Sequence, residues 1–143
     1  MIRTIPLTLD SASPAHTSHG APFDDTIARH GMKTLSAQTI STIQVNIGKL
    51  CNQVCHHCHV DAGPQRTEVM SRETLDAILA ILRTYPQIST VDITGGAPEM
   101  NPHFREFCAE LISMGVQITS RCNITVMFEP GQEDLAQWYA DNK

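Results

Sequence analysis

The sequence predicts an α/β domain built on a parallel sheet, because stretches typical of strands alternate with stretches typical of helices. Three runs rich in β-branched residues begin near residues 39, 89 and 116, and each is followed by a segment with helical periodicity or helix-end signals. Strands that alternate with helices pair in parallel, since each helix returns the chain to the starting edge of the sheet. The 143 residues, 41% apolar and 17% charged, suffice for one domain with a core.

The first predicted strand is TISTIQVNI, which begins at Thr39 and alternates apolar with polar residues over its second half. The helix after it is SRETLDAILAILRT. Ser71 suits its N-cap, and Glu73 lies in the first turn, where the helix dipole favours a negative charge. Pro86 marks its end. Its apolar face consists of residues at helical spacing, namely Leu75, Ile78, Leu79 and Leu82.

The second strand is STVDITGG, with Val91 and Ile93 on one face and paired glycines at its end. The second helix, NPHFREFCAELISMG, has strong end signals: Asn101 as cap, Pro102 at the first helical position, and Gly115 at the left-handed position beyond the end. Its apolar stripe consists of Phe104, Phe107, Cys108 and Leu111. The third strand is VQITSRCN, and a third helix is predicted from about residue 132.

Residues 1–35 are rich in Ser, Pro, Thr and His and have no sustained period, so they are predicted to form a loosely ordered leader. Residues 36–143 hold the α/β units. The net charge of −5 and the absence of a basic stripe argue against a nucleic-acid partner. No apolar run reaches membrane-spanning length, and the N-terminal stretch has no apolar signal-peptide core, so neither a membrane partner nor export is expected.

The segment KLCNQVCHHCHVDAGP holds three of the five cysteines, spaced Cys-x₃-Cys-x₂-Cys, directly after the first strand. An odd cysteine number without an export signal disfavours disulfides and indicates reduced thiols in the cytoplasm. Zinc would need four ligands, and a Cys₃His site completed by His59 stays open. An iron–sulfur cubane takes a thiolate on each iron, so three cysteines would leave one iron free. The spacing favours the cluster over zinc without excluding zinc.

The cysteine loop and the Gly-Gly turn each follow a strand, so both lie at the carboxyl edge of the predicted sheet. Ligands of parallel sheets gather at this edge, which groups the two loops into one candidate site. Glycine suits such a turn because only a residue without Cβ lets the main chain approach a ligand closely or adopts positive φ freely.

Cys51-x₃-Cys55-x₂-Cys58 after a first strand, with a Gly-Gly turn after the second, resembles the radical S-adenosylmethionine (radical SAM) superfamily. The longer phrases QVNIGKLCNQVCHHCHVDAGPQRTEVM and TGGAPEMNPHF resemble its branch of arsenosugar biosynthesis proteins, over about Gln44 to Leu135. The resemblance implies the first three β/α units of a partial (β/α)₆ TIM-like barrel. Because only three such units fit in 143 residues, the chain is expected to be the N-terminal half of a longer enzyme, with little or no turnover alone.

The resemblance also implies roles for individual residues. The ligands of a [4Fe–4S] cluster would be Cys51, Cys55 and Cys58. Its open iron would bind the amine and carboxylate of S-adenosylmethionine, with His57 near the adenine and the backbone of Gly95 and Gly96 at the methionyl amine. Reductive cleavage would give methionine and a 5′-deoxyadenosyl radical, with a flavodoxin or ferredoxin as electron donor. The branch implies a small-molecule substrate, a methylated trivalent arsenic compound to which the radical adds.

Two features depart from the family pattern or lie outside it. The turn of the family reads Gly-Gly-Glu, but the third position here is Ala97, and the nearest acid is Glu99. Either the backbone suffices for the cofactor, or Glu99 reaches back to it. Cys122 follows the third strand on the same rim and is a candidate substrate-side thiol, whereas Cys108 is expected to be a structural core residue.

Two alternatives to an active radical SAM enzyme stay open for the function. One is a fragment that binds the cluster but is inactive, and the other is the zinc-bound interaction module.

Overall fold

The structure is a computed structural model that describes residues 22–33, 35–36 and 39–142, and the chain divides into two compact units, Met1–Gln38 and Thr39–Lys143. The described part of the first unit contains one short helix, α1 (Phe23–Arg29). This helix was not predicted from the sequence, because seven residues are too few to show a helical period. Most of the predicted leader lies outside the described residues, and its boundary stays a prediction.

The second unit has the predicted α/β architecture. Its strands are β1 (Thr42–Asn46), β2 (Thr90–Thr94) and β3 (Gln117–Ser120), and its α-helices are α2 (Arg72–Thr84), α3 (Phe104–Ser113) and α4 (Leu135–Asp141). Short 3₁₀ helices, Pro98–Met100 and Ile124–Phe128, follow β2 and β3. The strands pair in parallel in the order β1-β2-β3, which confirms the α/β class; the six-unit barrel stays a prediction. None of the helices in the described ranges has the length and apolar character to cross a membrane.

One face of the sheet is covered by helices and forms the core. Val45 is paired in register with Ile93, and both are buried, as are the apolar faces of α2 and α3 that pack on them. The burial of each apolar side chain contributes about 1.5–3 kcal/mol, so this layer supplies most of the stability of the unit. The buried helix residues are Leu75, Leu79, Leu82, Phe104, Phe107, Cys108 and Leu111.

The opposite face of the sheet is polar. Gln44 Nε2 donates to Asp92 Oδ2 at 2.8 Å, and the Arg121 guanidinium donates to both oxygens of Asp92, the shortest contact being 2.7 Å. These hydrogen bonds, those of Arg121 first, lower the pKa of Asp92 from its usual value to about 2. Asp92 therefore stays a carboxylate at neutral pH and links β1 to the end of β3 across the middle strand.

Three of the four predicted ends of α2 and α3 are confirmed. One of them is the end of α2 at Thr84, just before Pro86. Ser71 caps α2 by accepting a hydrogen bond from Thr74 N, and Gly115 takes φ 71° after α3, where Val116 N bonds Leu111 O across the end of the helix. The remaining prediction placed Asn101 at the N-cap and Pro102 at the first position of α3, but α3 begins at Phe104. Asn101 instead holds a turn before the helix, because its Oδ1 accepts from His103 N at 2.8 Å.

Asn101 also connects this turn to the rest of the site. Its Nδ2 donates to Ile47 O at 2.9 Å and to Met70 O at 3.1 Å, and the side chain is buried. The side-chain amide of Asn101 therefore connects the turn after β2 to both ends of the loop between β1 and α2, which contains the cysteines. Burial makes these bonds costly to lose, since the groups left behind have no access to water.

We expect Asn101→Ala to lower the free energy of unfolding by about 2 kcal/mol, because it removes the bonds to Met70 O and His103 N, whereas Ile47 O keeps its bond from Met70 N. Asn142→Ala is the matched control, since Asn142 is exposed and makes one local bond, to Trp138 O. Its effect should stay within about 0.5 kcal/mol. Urea unfolding of both variants measures the difference. Equal losses in the two variants would show that the bridge made by Asn101 contributes nothing.

Candidate functional site

The cysteine loop after β1 and the Gly-Gly turn after β2 meet at the carboxyl edge of the sheet. Gly96 N donates to Gly48 O and Ala97 N donates to Leu50 O, both at 2.9 Å. The loop also closes on itself, because Gly63 N donates to Lys49 O at 3.1 Å. The structure thus brings together the two segments that the sequence analysis grouped into one site.

Residues 95 and 96 must both be glycine, because the cysteine loop and the turn after β2 approach each other too closely to leave room for a Cβ. A Cβ on Gly96 would overlap Leu50 O and would lie 2.8 Å from Lys49 O, and a Cβ on Gly95 would lie 2.8 Å from Gly48 O. Because the opposing atoms are backbone, they cannot rotate away. From the sequence, glycine was expected here to permit the close approach of a ligand; the structure shows that packing of the two segments already requires it. The predicted contacts of Gly95 and Gly96 with a cofactor stay a prediction.

The three thiols of the loop lie in different environments. Cys51 is buried, with 6% of its surface exposed, Cys58 is half-buried and Cys55 is exposed. Cys58 Sγ accepts a hydrogen bond from Ala62 N at 3.3 Å. Backbone N–H groups, of Ala62 first and then Val60, lower the pKa of Cys58, which favours the thiolate that a metal needs.

Within the described ranges, no group of three or more His, Cys, Asp or Glu side chains is arranged to hold a metal ion. The structure therefore does not gather Cys51, Cys55 and Cys58, nor a Cys₃His set with His59, and both ligand sets stay predictions. The chemistry of the loop nevertheless fits an iron–sulfur cluster. Three thiols lie on eight residues, and Cys51 and Cys58 each receive an N–H donor, as thiolate ligands of such clusters commonly do.

Ala97 and Glu99, which follow the paired glycines, are both buried. Tyr139 OH donates to Glu99 Oε1 at 2.7 Å, and among the described residues the other oxygen, Oε2, has no hydrogen-bond partner. Ser120 on β3 shares a hydrogen bond with the same Tyr139 hydroxyl at 3.0 Å. Glu99 therefore extends toward α4 and the end of β3. Its predicted reach toward a cofactor stays a prediction.

Cys122 lies beside this carboxylate and is half-buried. Burial, and next Glu99, raise the pKa of Cys122 to about 11, so at neutral pH it is a neutral thiol. Cys108 is buried in the core, where burial raises its pKa to about 12, as suits the structural role expected of it. The substrate-side role of Cys122 stays a prediction.

The remaining predicted residue, His57, is exposed, and its ring lies edge-on to that of His56 with 4.7 Å between the ring centroids. Its predicted place near an adenine stays a prediction. Sequence reasoning also missed the partners that organise the site, Asn52 and Tyr139. Asn52 is one of the variable positions of the Cys-x₃-Cys-x₂-Cys motif, and Tyr139 lies in no motif. Their contacts span 71 and 40 residues of chain, so only the fold could reveal them.

The model of the Radical SAM superfamily matches residues 45–141, from within β1 to the end of α4. The chain belongs to the radical SAM superfamily. The match covers more than half of the sequence and spans all three β/α units, so the cysteine loop, the Gly-Gly turn and the end of β3 all fall inside it. Radical SAM proteins are enzymes that generally use a [4Fe–4S] cluster and S-adenosylmethionine. No curated protein matches this chain significantly.

Proposed function

We propose that this radical SAM chain holds a [4Fe–4S] cluster through Cys51, Cys55 and Cys58 and presents S-adenosylmethionine to it. The observation that supports the proposal best is the direct bonding between the cysteine loop and the Gly-Gly turn, at the carboxyl edge of a parallel sheet. When bound, the cluster supplies the electron that splits a carbon–sulfur bond of S-adenosylmethionine, which gives methionine and a 5′-deoxyadenosyl radical.

The Gly-Gly turn suits an ammonium group on the cofactor. The N–H groups of Gly96 and Ala97 are already used by the cysteine loop, whereas in the described part of the chain the carbonyls of Gly95 and Gly96 accept no hydrogen bond. An ammonium group donates hydrogen bonds and needs such acceptors. We therefore assign the methionyl amine to these carbonyls, with the free oxygen of Glu99 as the nearby negative charge and His57 beside the adenine.

The electron would come from a donor protein such as a flavodoxin or ferredoxin. The part of the cysteine loop best placed for such a partner is its tip, where Cys55 is exposed and the neighbouring Val54 has 80% of its surface exposed. An exposed ligand shortens the path of an electron from a docked protein. The cytoplasm, where thiols stay reduced, is the compartment in which this chemistry would operate.

For the substrate we propose a methylated trivalent arsenic compound. The 5′-deoxyadenosyl radical would add to arsenic, and loss of one electron from the resulting arsenic radical to the oxidised cluster would leave a carbon–arsenic bond at pentavalent arsenic. The support is the resemblance of the cysteine-loop and Gly-Gly phrases to the arsenosugar biosynthesis branch. Trivalent arsenic is soft and prefers sulfur, and Cys122 is the thiol on the rim formed by the end of β3. Because its pKa is about 11, Cys122 would release its proton to solvent on binding arsenic.

Anaerobic reconstitution of the chain tests the proposal. We expect about four iron and four sulfide ions per chain, no zinc, and an electron paramagnetic resonance signal of the reduced cluster that changes when S-adenosylmethionine is added. Release of 5′-deoxyadenosine after addition of dithionite measures whether the cofactor is also cleaved. A colourless protein that binds zinc with Cys51, Cys55, Cys58 and His59 would contradict the proposal.

A further inference from the structure

The residue that follows Cys122 contacts a proposed cluster ligand directly. Asn123 Nδ2 donates to Cys51 Sγ with an N–S distance of 3.5 Å, across 72 residues of sequence. Asn123 is the N-cap of the 3₁₀ helix Ile124–Phe128 and accepts from Thr125 N at its start. The contact therefore joins the end of β3 to the cysteine loop.

The orientation of the Asn123 amide is determined by its other hydrogen bonds. Its Oδ1 accepts from Thr125 N at 3.2 Å and from Thr125 Oγ1 at 2.8 Å, and its Nδ2 donates to Asn52 Oδ1 at 2.7 Å. A flipped amide would set oxygen against oxygen at Asn52 and NH₂ against N–H at Thr125. Asn52 is held in turn, because its own Nδ2 donates to Glu129 Oε1 at 3.0 Å. The N–H group is thus fixed toward the sulfur.

The sulfur that receives this hydrogen bond lies in apolar surroundings. Cys51 packs in a buried group with Ala97, Val126 and Leu135, while Asn123 itself is half-buried. A hydrogen bond in such a setting is electrostatically stronger than one in water, because little solvent competes for the sulfur or screens the charge. Of the three proposed ligands, Cys51 is the one that receives a side-chain amide donor among the described residues.

We propose that Asn123 is a positioning residue that donates an N–H···S hydrogen bond to the Cys51 ligand and raises the reduction potential of the cluster. The inference rests on the proposed function, since it needs the cluster. One-electron reduction adds a negative charge that spreads over the thiolate ligands, and a donor to sulfur stabilises the reduced form more than the oxidised form. Asn123 thereby makes the cluster easier to reduce, without touching substrate or cofactor.

The test is a dithionite titration of the reconstituted full chain, followed by electron paramagnetic resonance. We expect Asn123→Ala to keep the iron content of the unchanged chain but to lower the equilibrium constant for reduction about tenfold, a shift of about 59 mV for one electron. The control is Asn142→Ala, which removes an exposed side-chain amide that bonds only Trp138 O and contacts neither Cys51 nor the residues that hold Asn123. Its shift should be less than a third as large. Equal shifts in the two variants, or none, would overturn the inference.

Asn123→Asp serves as a second variant in case the alanine variant folds poorly. Aspartate keeps the acceptor for Thr125 but replaces the donor with a negative charge beside the sulfur, so the potential should fall at least as far as in Asn123→Ala. A potential that rose would overturn the inference. Failure of the inference differs from failure of the proposed function. If the unchanged chain takes up no cluster, the proposed function and the inference are both contradicted. If it takes up a cluster and the variants have the same reduction potential, only the role of Asn123 is contradicted.

Discussion

Replacing any one of Cys51, Cys55 and Cys58 with alanine should abolish cluster binding, so that reconstituted protein holds iron at background level. Each thiolate would be the sole protein ligand of its iron, and the loop offers no spare cysteine to take its place. The expected loss is therefore all or nothing rather than graded. Iron and sulfide analysis, with the visible absorbance of the cluster, measures it.

Cys108→Ala is the matched control for these three variants. Cys108 lies in the core between α3 and the sheet, and burial raises its pKa to about 12, so it is a neutral thiol that acts as a small apolar side chain. Its loss should cost about 1–2 kcal/mol of stability through packing and leave the iron content unchanged. If Cys108→Ala abolished cluster binding, or if one of the three cysteine-loop variants kept the full iron content, the ligand assignment would be wrong.

The sequence predicted those features of the fold that depend on short-range chemistry. Ser71 at the N-cap of α2 and Gly115 beyond α3 are recognisable because a cap or a left-handed residue has a narrow choice of side chains. The alternation of Val91 and Ile93 on β2 likewise reports burial of one face. Even the meeting of the two loops followed from topology, since parallel strands end at one edge.

Long-range polar contacts could not be predicted from the sequence. Pro102 and Asn101 look like a helix start, yet the tie from Asn101 to Ile47 O, 54 residues away, holds the turn outside α3. The direction of Glu99 was likewise undecidable, because its partner Tyr139 is on α4, 40 residues later. A local sequence pattern is the same whichever distant residue a side chain contacts. The sequence could therefore identify side chains near the site but not which of them bond to each other.

The second large effect is expected at Gly96, the second of the paired glycines. In Gly96→Ala the new Cβ would overlap Leu50 O and press on Lys49 O, both backbone atoms of the cysteine loop. The turn would have to move away, with loss of the bonds from Gly96 N to Gly48 O and from Ala97 N to Leu50 O. We expect the free energy of unfolding to fall by about 3 kcal/mol and cluster uptake to fall with it.

Gly63→Ala separates this effect from a general intolerance of the cysteine loop. Gly63 lies in the same loop, but its new Cβ would meet Val54 Cγ2 at 3.8 Å, an ordinary contact, and its φ is not in the left-handed region. Its effect should stay within about 0.5 kcal/mol. Urea unfolding and iron content of the two variants measure the contrast. If Gly96→Ala were as mild as Gly63→Ala, the two segments would not be packed as closely as the structure places them, and the site would lose its main support.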